Sequence, residues 1–214
     1  HGQRGWSWWR RGLKAFERDL EAAIAQMRAP PIVIAHSLGG LIAQRVAYRR
    51  PLAALGLLSP IPLHGVAGSV LALAKQSPTS VLKLGALALE PRISRLGEAP
   101  LGIYSSRVSK EARIAVTRRL QAESPLVLGQ SLFPRTTHQG PPPCPLKFWG
   151  AEGDHIIPAS EVRRAARDMR VEAKIFPGMS HIMQSEPDWR DVADDILAWI
   201  GRLALGKRHR SLKR

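Results

Sequence analysis

The chain is poor in cysteine, in acidic side chains and in long apolar runs. A single cysteine, Cys144, stands among 214 residues, so no internal disulfide can form. That usage fits a reducing compartment and makes the cytoplasm the expected location. No apolar stretch approaches the roughly 20 residues a membrane-spanning helix needs, so no transmembrane segment is expected. No signal-peptide pattern is visible. Asp and Glu number 17 against 32 Lys and Arg, a formal net charge of +15. Such an excess can serve nucleic acid or an anionic membrane surface. Here it is dispersed, and its densest cluster is GKRHRSLKR at 206–214. The interleaved basic and aromatic pattern of a nucleic-acid platform is absent over most of the chain. The excess therefore reads as a solvated surface with a basic, disordered tail, and no specific nucleic-acid partner is expected.

What is present is a chain 44% hydrophobic, long enough for one large α/β domain. Leu13, Phe16, Leu20, Ala23, Ile24 and Met27 recur at helical spacing, and Pro30-Pro31 ends that helix. IVIA at 32–35 reads as a strand apolar on both faces, as in a buried parallel sheet. A helix is expected over 41–50, with its basic end at the C-terminus. Further strands are expected at 52–59, 146–150 and 171–176, and helices at 161–169 and 189–204. Strands alternating with helices predict a parallel sheet with right-handed crossovers. Residues 61–143 break the alternation. They contain VLALAK, SVLKLGALAL and ARIAVTRRL, all helix-like, and no clear strand. The expected division is a core of 1–60 and 144–205, a helical lid or cap of 61–143, and a tail of 206–214.

The strand IVIA runs into His-Ser-Leu-Gly-Gly and then an amphipathic helix. A serine at the tip of so tight a strand-to-helix turn sits in a strained conformation, and its neighbours must be small. Ala35 stands two before Ser37 and Gly39 two after. By itself this is equally a structural turn. Asp154 follows the strand LKFWG, and His181 follows the strand VEAKIF; strand C-termini are where open α/β sheets collect catalytic groups. Asp154 could also be a helix cap and His181 an ordinary loop histidine. Their order along the chain, Ser then Asp then His, sets the nucleophilic reading above the structural ones. Of the other histidines, His36 is the variable position of the turn and His155 neighbours the acid, while His64, His138 and His209 lie in the insert or tail. Cys144, between prolines, reads as structural.

The pieces AHSLGG, WGAEGDHIIP and GMSHIMQSEP resemble the alpha/beta-hydrolase fold family, in its serine esterase and lysophospholipase-like branch. The resemblance covers nearly the whole chain, most firmly 31–60 and 145–204. It differs at Ala35, where glycine is usual. It implies that Ser37 is the nucleophile, Asp154 the orienting acid, His181 the general base, and the Leu38 amide one oxyanion donor. The implied substrate is a carboxylic ester or thioester, lipophilic if the apolar insert shapes an acyl pocket. No cofactor and no metal site is expected. A serine in place of an aspartate argues against haloalkane and epoxide hydrolysis. The alternatives are acyl transfer or cofactor-free peroxidase activity on the same residues, or a non-catalytic binding domain.

His1-Gly2 resembles the family's oxyanion loop, but Ser37 is only 36 positions on. A helix, a strand and a second helix need roughly 50 residues. His1-Gly2-Gln3 is therefore expected to be the loop after the following strand, with the earlier strands and the second oxyanion donor upstream of this sequence. IVIA would then form an exposed sheet edge. Trp6, Trp8 and Trp9 are expected near the site entrance, as packing or as an aromatic wall for an acyl chain.

Overall fold

The computed structural model describes residues 8–89, 102–136 and 140–211, with side chains to Ala204. Four strands form one parallel sheet: β1 (Ile32–His36), β2 (Ala54–Leu58), β3 (Leu146–Ala151) and β4 (Ala173–Phe176), side by side in sequence order. Ala35 pairs with Leu57, Leu57 with Phe148 and Phe148 with Ala173, so the C-terminal ends of the strands lie together. Helices α1 (Leu13–Ala25), α2 (Ser37–Ala47), α7 (Ala159–Asp168) and α8 (Trp189–Ser211) accompany them. Between β2 and β3 come α3 (Ala67–Gln76), α4 (Pro78–Leu89), α5 (Lys110–Thr117) and α6 (Pro125–Leu132), and no strand among the described residues.

Two apolar clusters flank the sheet. One joins α1, α2 and α7 to Leu55, Leu57 and Phe148; the other joins α8, through Val192 and Trp199, to Ala54, Leu58 and Trp149. Neighbours such as Phe148 and Trp149 serve opposite faces because strand side chains alternate. β2 is buried throughout, as its unbroken apolar sequence predicts.

β1 departs from the expectation of burial on both faces. It is an edge strand, and Ile32 and Ile34 are 39% and 40% exposed. On the face they share with Ala54 and Leu58, α8 packs over β2 and β3 and not over these two side chains, whereas Val33 and Ala35 meet the other core cluster. The expected edge at IVIA is present. The helix after the turn starts at Ser37 rather than at residue 41, because the turn is itself the first helical turn. The last helix continues to Ser211, into the stretch expected to be a disordered tail. Lysine and arginine there are good helix formers, and cations at a C-terminus suit its dipole. His1, Gly2, Gln3, Trp6 and His138 lie outside the described residues.

Candidate active site

Ser37 occupies the junction of β1 and α2 with φ +52°, a left-handed conformation that a non-glycine residue adopts only when its surroundings enforce it. The enforcement comes from the loop after β2. The Ile61 amide donates to the Ser37 carbonyl at 3.0 Å. Gln44, buried in α2, donates its side-chain amide to the carbonyls of Gly40 and Ile61, each at 3.0 Å. A Cβ on Gly40 would lie 2.5 Å from the Pro60 Cβ, whereas one on Gly39 would meet nothing within 4 Å. The position that must be small is therefore Gly40. Gly39, to which the sequence pattern assigns that need, instead lines the cavity over Ser37.

Three side chains from three strand ends meet there. The Ser37 hydroxyl lies 3.0 Å from His181 Nε2, and His181 Nδ1 lies 2.8 Å from Asp154 Oδ2. A carboxylate only accepts, so Nδ1 carries the proton and Nε2 is left to accept from Ser37. Asp154 Oδ1 accepts from the amides of Ile156 and Ile157, both at 2.8 Å. It does not cap α7, whose N-cap is Pro158. Asp154 and His181 are 3% and 5% exposed, so their contact is shielded from water. Leu38 lies in the first turn of α2, whose amides have no intrahelical acceptor.

His36, dismissed in the sequence as a variable position, is part of this arrangement. Its ring stands 4.7 Å from the His181 ring, tilted by 46°. Its Nε2 donates to the His181 carbonyl at 2.9 Å. Burial first, and then the neighbouring charge of His181, push its pKa down to about 4, so it stays neutral. Glu186 was not singled out either. It is 1% exposed and accepts from the Ser180 amide at 3.0 Å and from the Ser105 amide and hydroxyl at 3.2 and 2.5 Å. The acid sits in the quoted motif GMSHIMQSEP; its bond to the Ser180 amide holds the backbone before His181, and its bonds to Ser105 tie that backbone to the insert.

The insert also reaches the site through its backbone. The His181 amide donates to the Gly102 carbonyl at 2.9 Å and the Ile182 amide to Ile103 at 3.2 Å. Above Ser37 and His181 lies a cavity of about 530 Å³, lined mainly by apolar side chains such as Val70, Val81, Leu84 and Leu128. Glu123 is on its wall, and burial holds that carboxyl above the usual carboxylate range. Trp8 and Trp9 do not line it. They lie at the far side of α6, where Ser124 donates to the Trp9 carbonyl at 3.0 Å. His64 bonds Glu161 and His155 bonds Gln76, both at 3.0 Å. Cys144 is half-buried, and burial pushes its thiol pKa up. No cluster of three potential metal ligands occurs among the described residues.

Comparison with known proteins gives this geometry a family. A monoacylglycerol lipase of Mycolicibacterium smegmatis is 26% identical, the match covering 94% of this chain and 74% of that one. A thermophilic esterase from Thermogutta terrifontis superposes with a TM-score of 0.65 at 18% identity, over 90% of this chain and 73% of its own. A bromoperoxidase from Bacillus anthracis does so with a TM-score of 0.63 at 11% identity, over 93% and 77%. At such identities the two structures share the fold alone. The sequence profile of the alpha/beta hydrolase family matches residues 2–195, nine-tenths of the chain, and the chain belongs to that family.

Proposed function

We propose that the protein is a serine hydrolase of carboxylic esters, with Ser37 as nucleophile, His181 as general base, Asp154 as the acid that orients it, and Leu38 as a backbone oxyanion donor. The observation that carries the reading is the unbroken hydrogen-bonded line from Ser37 through His181 to Asp154, at 3.0 and 2.8 Å. A serine hydroxyl is a weak nucleophile until a base takes its proton. His181 Nε2 accepts that proton as Ser37 Oγ bonds to the ester carbonyl carbon. Asp154 keeps the proton on Nδ1 and stabilises the imidazolium. The negative charge gathers on the former carbonyl oxygen, and the Leu38 amide at the helix N-terminus faces it. The imidazolium then gives its proton to the departing alkoxide, leaving an acyl-enzyme. Water, deprotonated by the same histidine, releases the acid and restores Ser37.

The mainly apolar cavity over Ser37 supports a lipophilic ester, with residues 61–143 acting as a lid. The monoacylglycerol lipase among the relatives points the same way. The fold by itself does not select the reaction, because a bromoperoxidase shares it. A fluorophosphonate probe and a series of p-nitrophenyl esters of increasing chain length test the proposal. The wild type labels and turns over, with preference for longer chains, and Ser37→Ala does neither. Labelling that survives in Ser37→Ala removes Ser37 from the role. A folded wild type inert towards every ester favours the non-catalytic reading.

A further inference from the structure

We infer that a second cavity, separate from the one over Ser37, is a binding site for a compact phosphorylated anion. It measures about 700 Å³ and lies where the start of α1 meets α6 and the loop that follows it. Arg10, Lys14, Arg18, Arg45 and Arg135 contribute to its wall, and no aspartate or glutamate does. In the sequence these cations are scattered over 126 positions and read as ordinary surface charge. The fold gathers them round one hollow.

Arg45 is engaged, bonded through Nε to Glu17 and through Nη1 to the Arg135 carbonyl at 2.6 Å. The other four make no ion pair and no side-chain hydrogen bond among the described residues. Arg163 and Arg167 on α7 are likewise unpaired, so what sets these four cations apart is that they are both unpaired and gathered round one cavity. Cations just outside the cavity behave differently. Arg11 pairs with Asp19, Arg49 with Glu17 and Glu21, and Arg50 with Glu21. Glu17 is thus taken by Arg45 and Arg49, and Asp19 and Glu21 by cations outside the hollow, so four cations of its wall keep no ion-pair partner among the described residues. The first turn of α1 adds to the field. It holds no acidic residue, and its one side-chain cap is neutral, the Gln130 Oε1 accepting from the Leu13 amide at 2.7 Å.

The class of ligand follows from charge, geometry and size. A single carboxylate neutralises one of four cations, whereas a phosphoryl group carries up to two charges. Its oxygens also suit the planar fork of a guanidinium, of which the unpaired set has three. The volume lies within the roughly 300–1,000 Å³ typical of small-molecule sites, too small for a nucleic-acid duplex. Leu126 and Phe133 line the same hollow and are 42% and 74% exposed, so an apolar portion beside the phosphate would find contacts. A soluble polyphosphate and a phospholipid headgroup both offer this chemistry. α6 is the wall between the two cavities: Leu126 and Gln130 face this one, and Leu128 and Ser131 the one over Ser37.

The test uses the full chain in two arms. One titrates tripolyphosphate by calorimetry; the other measures co-sedimentation with phosphatidylglycerol vesicles, with phosphatidylcholine vesicles as reference. Two variants remove the same charge. Arg10→Glu with Arg18→Glu alters the cavity, and Arg163→Glu with Arg167→Glu alters exposed positions on α7. The wild type binds saturably in at least one arm, and the arm identifies the source of the phosphate. The cavity variant weakens that binding about tenfold or more, as loss of charge-assisted contacts requires, and the α7 variant changes it by less than about twofold. Binding also weakens between about 50 and 500 mM salt. No saturable binding in either arm overturns the inference, and so does equal weakening in both variants, which would reduce the effect to net charge.

Discussion

His36→Gln isolates the environment behind His181. In the folded protein His36 is held neutral, with its pKa pushed from 6.5 to about 4 by burial and by His181. In the unfolded chain it titrates normally. As pH falls below 6.5 the unfolded state takes up a proton that the folded state refuses until about pH 4, so the unfolded state gains. The contribution is therefore intact above 6.5 and lost progressively towards 4. At 1.36 kcal/mol per pH unit of difference, the loss is about 3 kcal/mol, a large share of a typical domain's stability. Glutamine can place an amide donor near the position of Nε2, keep the 2.9 Å bond to the His181 carbonyl, and carry no titrating group. Urea unfolding followed by tryptophan fluorescence, from about pH 7.5 to about pH 4, measures the difference. The wild type is expected to lose about 3 kcal/mol more than His36→Gln over that range. Parallel curves would refute the reasoning, because they would mean that His36 accepts a proton in the folded state as easily as in water.

Asp154→Asn leaves Oδ1 to accept from the amides of Ile156 and Ile157 but turns an NH₂ group towards His181, favouring the wrong tautomer. The expected loss is about 10⁴ in kcat on p-nitrophenyl butyrate with little change in the urea midpoint; a rate within tenfold of wild type would contradict it. Gly40→Ala drives a Cβ to 2.5 Å from Pro60 and is expected to cost about 2–3 kcal/mol, while Gly39→Ala, with open space around it, leaves the urea midpoint near wild type. Glu123→Gln should stabilise the protein at about pH 8 and not at about pH 4. Burial raises this carboxyl's pKa, so the folded state is disfavoured as pH rises through it; equal effects at both pH values would sink that reading.

The parallel sheet was legible because its strands are short apolar runs bounded by proline, glycine and polar residues. The structure keeps IVIA, LAALGLLS, LKFWG and VEAKIF as strands within two residues at either end. Exposure on β1 was not legible, since an apolar run reads alike whether one face or both are covered. The start of α2 was missed because Ser-Leu-Gly-Gly has the composition of a turn. Its helical state depends on Pro60 and Ile61, beyond the next strand. α6 escaped for a similar reason: Pro125 and Gly129 break the apolar pattern, although Ser124 with Pro125 is a fair start signal and Ser124 does cap the helix.

Within the site, Ser37, Asp154 and His181 could be named because each follows a strand, and strand ends are visible in sequence. His36 and Glu186 could not, because their partners are set by packing between loops 145 and 81 positions away. These same long-range bonds decide how the site is held. The insert leaves β2 through Pro60 and Ile61, which grip α2 at Gly40 and Ser37. Further along, Gly102 and Ile103 take the backbone of His181 and Ile182, and Ser105 takes Glu186. A Cβ on Gly102 would lie 2.4 Å from the His155 amide, so the same strip also presses on the loop carrying Asp154. All three members of the line are thus fixed from the insert side as well as from the sheet. A left-handed serine costs on the order of 1–3 kcal/mol and persists only where neighbours over-determine it. At Ser37 the Ile61 bond to its carbonyl comes from the first residues of the insert. The segment that lines the cavity is therefore also part of the frame that keeps Ser37 strained and within 3.0 Å of His181.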